Sequence, residues 1–291
     1  MRPDVTPFFH APTSTWSYVV RDPAGSAAAL IDPVLDYDPA AGLVCTAPAR
    51  ALLDHVLAHR LEVQWLLETH AHADHLSAAG WLKDALGGPA RVGIGAGIVE
   101  VQRTFKRLLN LDDGFRTDGS QFDRLFADGE RFALGSLDVE VLATPGHTSD
   151  SVSYRIGDAV FVGDTVFSPP AGTARCDFPG GDAATLYRSI RRLYALPPST
   201  RVFLCHDYPP PGAAPRAEVT LAEQRAHNAH VRDGVDEAAF VALRARRDAA
   251  LPVPRLLWPA LQVNIRGGRL PLPEANGVAY LRTPLRFDER G

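Results

Sequence analysis

The sequence predicts an α/β fold in which strands and helices form layers. Apolar runs of strand length alternate with segments whose apolar residues recur three and four positions apart, the spacing of a helix buried on one side. Several of the runs are apolar throughout, as in strands that are covered on both faces. The chain is 46% hydrophobic and 22% charged, and its 291 residues are enough to bury a large core without disulfides.

In the first half of the chain, two opening strands precede a series of strands and helices. Asp22-Pro23-Ala24-Gly25 is a turn-forming set that joins the opening strands, and Gly87-Gly88-Pro89 ends the second helix. The strands are predicted at 16–20, 27–31, 63–69 and 91–94. The helices are predicted at 49–60 and along the stripes Ala79, Leu82, Leu86 and Ile98, Val101, Phe105, Leu108.

The second half continues the same alternation. Leucine and isoleucine at 186, 190 and 193 mark a helix for which Asp182 is the expected N-cap. The strands are predicted at 137–143, 151–156, 159–163 and 201–205, and two further helices at 217–231 and 235–247. Six prolines follow Leu251, so we expect an extended tail and not a second fold. We therefore predict one domain over 1–291, with 251–291 as a C-terminal extension packed on it.

Charge, hydropathy and cysteine content exclude several classes of function. The net charge of -4, from 30 basic and 34 acidic residues, gives no electrostatic basis for binding nucleic acid or an acidic membrane surface. No apolar run approaches the ~20 residues that span a bilayer. The three cysteines are far apart and form no Cys-x-x-Cys pair, which favours a reducing compartment. We predict a soluble cytoplasmic protein.

The strongest functional signal is a loop directly after the strand 63–69. It places three imidazoles and one carboxylate, those of His70, His72, Asp74 and His75, within six positions. Imidazole nitrogen and carboxylate oxygen are ligands of first-row metals, and burying so many of them unpaired would be costly. The loop therefore predicts a metal site.

Three other apolar strands also end in a metal-binding type of residue. The strands at 137–143, 159–163 and 201–205 are followed by His147, Asp164 and His206, respectively. Because strands of this kind can end at one edge of a layered fold, we expect these side chains to meet the histidine loop there. The remaining histidines lack such a context. We interpret His55, His59, His227 and His230 as solvated, and His10 carries no signal.

His-x-His-x-Asp-His resembles the signature of the metallo-β-lactamase superfamily. The resemblance continues through Pro145-Gly146-His147-Thr148, Gly163-Asp164-Thr165 and His206-Asp207-Tyr208, and covers about Ser17 to Tyr208. It implies an αββα sandwich, in which two mixed sheets lie face to face, helices cover the outside and the metal is at one edge.

Within that superfamily the chain is most similar to persulfide dioxygenases. The segment that carries this similarity is Gly172-Thr173-Ala174-Arg175-Cys176-Asp177-Phe178, with its Arg-x-Asp-Phe core, while Ala174 departs from the glycine of many members. The tail around Trp258 is similar to a bacterial subgroup known as β-lactamase-like hydrolases. The resemblance implies one Fe(II) per chain, held by His70, His147 and Asp164.

The implied reaction oxidises glutathione persulfide with O2. Both oxygen atoms pass to the terminal sulfur, and water then releases sulfite and glutathione. Two histidines and one carboxylate leave open metal positions for both reactants. His72, Asp74, His75 and His206 would orient ligands and hold water. The alternative is a thioesterase of the glyoxalase II type with two zinc ions. One ion would be held by His70, His72 and His147 and the other by Asp74, His75 and His206, with Asp164 as the bridge.

The substrate residues are less firmly marked by the sequence. Arg175 is the candidate for binding a glutathione carboxylate or for positioning its loop, although it could equally pair with Asp177. Tyr208 is a candidate for contact with substrate. Cys176 is expected to be a spectator, and Cys205 is expected to point away from His206 because neighbouring strand residues face opposite sides. A homodimer formed through the tail is a further hypothesis.

Overall fold

The computed structural model describes residues 2–210 and 212–285, and it is built from two six-stranded mixed sheets that lie face to face. The strands are β1 (Asp4–His10), β2 (Thr15–Arg21), β3 (Ala27–Ile31), β4 (Val34–Asp38), β5 (Leu43–Cys45), β6 (Glu62–Leu67), β7 (Leu76–Ser77), β8 (Arg91–Gly95), β9 (Arg124–Phe126), β10 (Arg131–Leu134), β11 (Leu137–Ala143), β12 (Val152–Ile156), β13 (Ala159–Phe161), β14 (Arg201–Phe203) and β15 (Glu218–Thr220). The helices are α1 (Ala47–Ala58), α2 (Ala79–Leu86), α3 (Ile98–Leu108), α4 (Ala183–Tyr194), α5 (Leu221–His227), α6 (Glu237–Asp248) and α7 (Leu257–Asn264).

The first sheet has the order β1-β2-β3-β6-β8-β9. Its first three strands are antiparallel, whereas β3, β6, β8 and β9 run parallel. The parallel strands are connected through helices, as parallel pairing requires. β3 is buried along its whole length because it is covered on both faces.

The second sheet has the order β10-β11-β12-β13-β14-β15. All its pairs are antiparallel except β13 and β14, which the helix α4 connects. Asp182 caps α4 as expected, since its side chain accepts a hydrogen bond of 2.7 Å from the backbone N–H of Thr185. A small sheet of β5, β4 and β7 lies beside the two large ones.

Three apolar clusters hold the layers together. The cluster between the sheets includes Trp65 of β6, Tyr154 of β12 and Phe161 of β13. A second cluster lies between the first sheet and the helices α1, α2, α3 and α7, and a third lies between the second sheet and α4, α5 and α6. The order helix, sheet, sheet, helix confirms the predicted αββα sandwich with two mixed sheets and helices outside.

The predicted helix over 217–231 is wrong at its start. Residues Glu218–Thr220 form the edge strand β15, and α5 begins only at Leu221. The strand forms because Glu218 lies opposite Phe203 of β14 and its carboxylate receives two hydrogen bonds of 2.9 Å from Arg201. Thr220 then caps the helix by accepting a hydrogen bond from the backbone N–H of Glu223.

The tail is not wholly extended, because it contains α7. This helix buries Leu257, Leu261 and Val263 against the first sheet's outer helices, so the apolar cluster on that side is incomplete without it. The prediction of a single domain stays a prediction, and residues 286–291 of the proposed extension lie outside the described residues. Across the described ranges, no helix is long and apolar enough to cross a membrane.

Candidate metal centre

The four predicted loops meet at one edge of the sandwich. They follow β6, β11, β13 and β14, and they carry the histidine loop, His147, Asp164 and His206. The Asp164 carboxylate lies between two histidines: its Oδ2 is 3.6 Å from His147 Nε2, and its Oδ1 is 3.2 Å from His206 Nε2. The structure thus brings together side chains that are as far apart in sequence as His70 and His206.

Two glycines shape the loops that carry His147 and Asp164. Gly146 has φ +135°, and a Cβ atom there would lie 2.3 Å from the backbone nitrogen of Leu186. Gly163 has φ +51°, and a Cβ atom there would lie 2.7 Å from Thr69 Oγ1. Each position therefore combines a backbone conformation that favours glycine with a close approach that excludes larger residues.

His70, His147 and Asp164 form one compact group of buried ligand atoms, which all lie within 4.8 Å of one another. Hydrogen bonds at the outer nitrogens fix both rings. His147 Nδ1 donates to the carbonyl of Arg175 at 2.7 Å. His70 Nδ1 is 3.1 Å from Thr69 Oγ1, whose hydroxyl donates to Asp32 at 2.9 Å. Among the described residues, His70 Nε2 has no hydrogen-bond partner, as a bare ligand atom would have none.

Burial and charge hold these groups in their metal-binding forms. Burial, reinforced by the neighbouring His72, lowers the pKa of His70 well below 6.5, which favours the neutral imidazole. Burial alone would raise the pKa of Asp164, but His206 and then His70 and His147 outweigh it and keep that pKa well below its usual value. Neutral imidazole and ionised carboxylate are the forms that bind metal.

His72 faces a different set of partners. Its Nε2 is 3.1 Å from Asp32 Oδ1 and 3.8 Å from Glu68 Oε2, and these three residues form a separate buried group. Burial opposes protonation of His72, yet the carboxylates of Asp32 and Glu68 raise its pKa to about 9. His72 therefore lies beside two carboxylates, and it also groups with Asp74 and His75.

The other members of the dinuclear alternative lie beside the central group. Asp74 and His75 group with His72, and the His75 Nδ1 atom is 3.4 Å from Asp74 Oδ1. His206 Nε2 is 3.4 Å from Asp74 Oδ2. Burial opposes protonation of His206, but Asp164 and Asp74 raise its pKa to about 10.

The donor set fits a metal ion. Two imidazoles and one carboxylate at mutual distances under 4.8 Å match the three-ligand arrangement of non-haem iron sites, and a neighbouring carboxylate and histidine could serve a second ion. Iron and zinc are both compatible with these ligands, so the metal's identity does not follow from the donor set.

One important residue was missed from the sequence. The Asn264 side chain, at the end of α7, donates to the carbonyls of His72 and His75 at 2.8 Å each and accepts from Ser77 N–H at 2.8 Å. It therefore fixes the backbone at both ends of the segment 72–75. An amide residue within the apolar run of the tail is the available sequence signal.

Two acidic residues outside the predicted set also support the loop. Asp32, at the end of β3, accepts hydrogen bonds from the backbone and side chain of Thr69. Asp150 accepts from the N–H of Ala71 at 2.8 Å. Both carboxylates are buried and follow strands, as the predicted ligands do, so this position does not by itself distinguish a ligand from a support.

A cavity of about 680 Å³ opens beside the metal-binding residues, a volume typical of small-molecule sites. His147, Asp164 and His206 lie on its wall, together with the aromatic rings of Phe167 and Phe178. The exposed Tyr208 also lines it, with its ring stacked at 6.1 Å from that of His206, where it is positioned to contact a ligand.

Arg175 also lines the cavity, and it is paired with Asp177. Its Nε and one terminal nitrogen donate to the two Asp177 oxygens at 2.6 and 2.7 Å, and the other donates to the carbonyl of Pro252 at 2.7 Å. Of the two roles considered for Arg175, the geometry favours holding its own loop. Through its carbonyl, that loop also orients His147.

Two sequence-based expectations about neighbouring residues are wrong. Cys205 does not point away from the centre: its Sγ is 3.8 Å from Asp32 Oδ2 and groups with His72 and His206, because β14 ends at Phe203 and strand alternation stops there. His230 is buried and not solvated, since it accepts a hydrogen bond of 3.0 Å from the N–H of Thr173. Cys176 is buried, and burial raises its pKa to about 12, in keeping with a spectator thiol.

Several known proteins are similar to this chain over most of its length. A probable metallo-hydrolase of Burkholderia pseudomallei is 50% identical over 288 residues, which are 96% of this chain and 97% of that protein. The mitochondrial persulfide dioxygenase of Homo sapiens is 30% identical and covers 89% of this chain and 87% of its own. The chain spans only 65% of the length of a similar β-lactamase hydrolase-like protein from Agrobacterium fabrum.

A solved structure and a hydrolase are also similar to this chain. The crystal structure of ETHE1 from Myxococcus xanthus has a TM-score of 0.72 and 31% identity, covering 91% of this chain and 100% of that one. A hydroxyacylglutathione hydrolase of Methylococcus capsulatus is 31% identical over 85% of this chain and 80% of its own. The family model of the metallo-beta-lactamase superfamily matches residues 10–206. The chain therefore belongs to the metallo-beta-lactamase superfamily.

Proposed function

We propose that this protein is a mononuclear non-haem iron persulfide dioxygenase, which converts glutathione persulfide, O2 and water to sulfite and glutathione. The observation that carries the proposal is the compact group of His70, His147 and Asp164, whereas His72 Nε2 lies 3.1 Å from Asp32 Oδ1 and 3.8 Å from Glu68 Oε2. A first zinc site of the hydrolase type would need His72 in that group.

Two relatives support the same choice. The persulfide dioxygenase of Homo sapiens and the ETHE1 structure from Myxococcus xanthus each align with most of the chain at about the 30% identity level. The three residues that the resemblance implies as iron ligands also form a set whose ligand atoms lie within 4.8 Å of one another in this fold.

His70, His147 and Asp164 would hold Fe(II), which would supply the redox chemistry that joins O2 to a sulfur ligand. The protein's own groups prepare that site. The Arg175 carbonyl and Thr69 hold the rings of His147 and His70, so that each Nε2 faces the same point. The rings of Phe167 and Phe178 line the cavity and limit the access of water to a reactive persulfide.

Around the centre, other side chains hold charge and protons. His206 lies near the Asp164 oxygen that does not face His147, and Asp74 in turn lies near His206. We propose that they and His75 hold water and orient Asp164 without binding the working metal. Tyr208, on the cavity wall, is placed to contact the substrate. Cytoplasmic location and a homodimer remain predictions.

The second candidate is a dinuclear zinc thioesterase of the glyoxalase II type. It is favoured by the survival of all seven residues of a two-metal site at the same edge of the sandwich. The probable metallo-hydrolase and hydroxyacylglutathione hydrolase relatives point in the same direction.

Metal content and oxygen uptake separate the two candidates. The protein should be purified without oxygen, analysed for iron and zinc, and then given glutathione persulfide in an oxygen electrode. We expect one iron per chain and one sulfite for each O2 consumed. S-Lactoylglutathione serves as the control substrate. Two zinc ions per chain, no oxygen uptake and hydrolysis of that thioester would establish the hydrolase instead.

A further inference from the structure

The wall of the cavity carries four guanidinium groups. Arg175, Arg216, Arg244 and Arg247 all line it, although the chain as a whole has a net charge of -4. The carboxylates on its wall are Asp74, Asp164 and Asp207, and the first two face the metal-binding histidines. The cavity wall therefore carries carboxylates at the metal centre and guanidinium groups elsewhere, of which those of Arg216 and Arg247 are exposed, at its mouth.

Three of the four guanidinium groups already have carboxylate partners. Arg175 forms a two-point pair with Asp177. Arg216 binds both oxygens of Glu223 at 2.7 and 3.0 Å. The buried Arg244 pairs with Asp248 and donates to the carbonyl of Thr173. Their charges are therefore largely compensated within the protein, although the buried Nε of Arg244 has no hydrogen-bond partner among the described residues.

Arg247 is different. It lies in the last turn of α6, is exposed, and has no hydrogen bond or ion pair with any other described residue. Its charge acts on a group behind the cavity wall, His230, which accepts a hydrogen bond from Thr173 of that wall: after burial and Arg244, Arg247 is the next cause that lowers the pKa of His230, to about 4. A planar guanidinium with free donors is suited to a carboxylate, to which it can make two hydrogen bonds.

The rest of the mouth complements this cation. Leu251 and Pro254 line the cavity together with Arg247, and Phe167 and Phe178 line it as well. Such a surface accommodates an elongated ligand whose reactive sulfur is at the metal and whose charged end is in the mouth. Arg175, the sequence-based candidate for that charged end, is held by Asp177 and Pro252.

We infer that Arg247 binds a carboxylate at the non-reacting end of the substrate and so selects thiol persulfides that carry one. This inference rests on the proposed function where it concerns turnover of a persulfide. The binding of a carboxylate by Arg247 does not depend on that function. Arg247 would act as a specificity-determining residue, since it lies at the mouth and not among the metal-binding side chains.

The test compares Arg247→Glu with Arg246→Glu. Arg246 is the matched control, because it is the neighbouring exposed arginine in the same helical turn and does not line the cavity. Metal content is measured first and is expected to be unchanged in both. Calorimetry then gives the Kd for reduced glutathione and for its diethyl ester, in which both carboxylates are neutral.

For Arg247→Glu we expect the Kd for glutathione to rise at least about tenfold, the size of one lost charge-assisted hydrogen bond. The KM for glutathione persulfide should rise in parallel while kcat stays within about twofold. This is the pattern expected when the lost interaction is made equally with the bound substrate and with the transition state. Arg246→Glu should resemble wild type, Arg247→Lys should retain much of the affinity, and the diethyl ester should bind wild type and Arg247→Glu equally.

Several results would overturn the inference. Equal Kd values for glutathione in Arg247→Glu and Arg246→Glu would do so, as would wild-type protein that binds glutathione no better than its diethyl ester or does not bind it at all. Failure of the proposed function is distinguishable. If oxygen uptake is absent but S-lactoylglutathione is hydrolysed, the dioxygenase assignment fails, and the Kd comparison still decides the role of Arg247.

Discussion

Asn264 provides the sharpest test of how the tail serves the metal centre. Its side chain is buried and makes three hydrogen bonds of 2.8 Å, two to the carbonyls of His72 and His75 and one from the N–H of Ser77. At about 1 kcal/mol net for each bond, Asn264→Ala should lower the free energy of unfolding by about 3 kcal/mol. Because the loop that carries His70 is then less well held, metal affinity should fall about 10–100-fold.

Gln262 is the matched control on the same helix. It is equally buried and also makes three hydrogen bonds, of 2.7–2.8 Å, but these go to the carbonyls of Trp258 and Arg282 and come from the N–H of Arg282. Gln262→Ala should therefore cost a similar amount of stability, about 3 kcal/mol, and leave metal affinity unchanged.

The assay combines urea unfolding with competition for the metal by a chelator, both on protein loaded with one metal ion. A loss of metal affinity only in Asn264→Ala would show that the helix acts on the loop. If the two variants lose metal affinity equally, the loss reflects general destabilisation. The specific role of Asn264 in holding the histidine loop is then refuted. Unchanged metal affinity in both variants would refute it as well.

Three further predictions concern the centre itself. Asp164→Ala should abolish iron binding, whereas His206→Ala should leave it largely intact, as measured by metal analysis after anaerobic purification. Gly163→Ala should destabilise the fold by about 1–3 kcal/mol more than Gly129→Ala in urea, because both glycines have positive φ but only the former has a neighbour in the way. Thr69→Val should cost about 2 kcal/mol, since it removes a buried hydroxyl that donates to a carboxylate, and should weaken metal binding.

Each of these has a result that would count against it. Equal loss of iron in the two metal-site variants would contradict a three-ligand centre. Equal destabilisation by the two glycine substitutions would mean that the approach of Thr69 to Gly163 carries no cost. An unchanged chelator competition curve for Thr69→Val would show that the hydroxyl does not orient His70.

Much of the fold could be predicted because its signals are local. The all-buried strand β3 and the helix α4 with its Asp182 cap depend on residue patterns within a few positions. The edge strand β15 could not be found in this way, because Glu218 and Thr220 have no strand pattern of their own. It depends on pairing with β14, seventeen residues earlier at the Arg201–Glu218 contact.

The sequence by itself determined the superfamily and the set of metal-binding groups. His70, His72, Asp74 and His75 lie within six positions, and the ability of these residue types to bind metal is a property of the side chains themselves. Only the tertiary structure decided how they are used. Asp32 reaches His72 from another strand, and Asp177 and Pro252 engage Arg175. Whether a charged side chain is free to bind a ligand depends on the charges that folding brings beside it, and those come from distant parts of the chain.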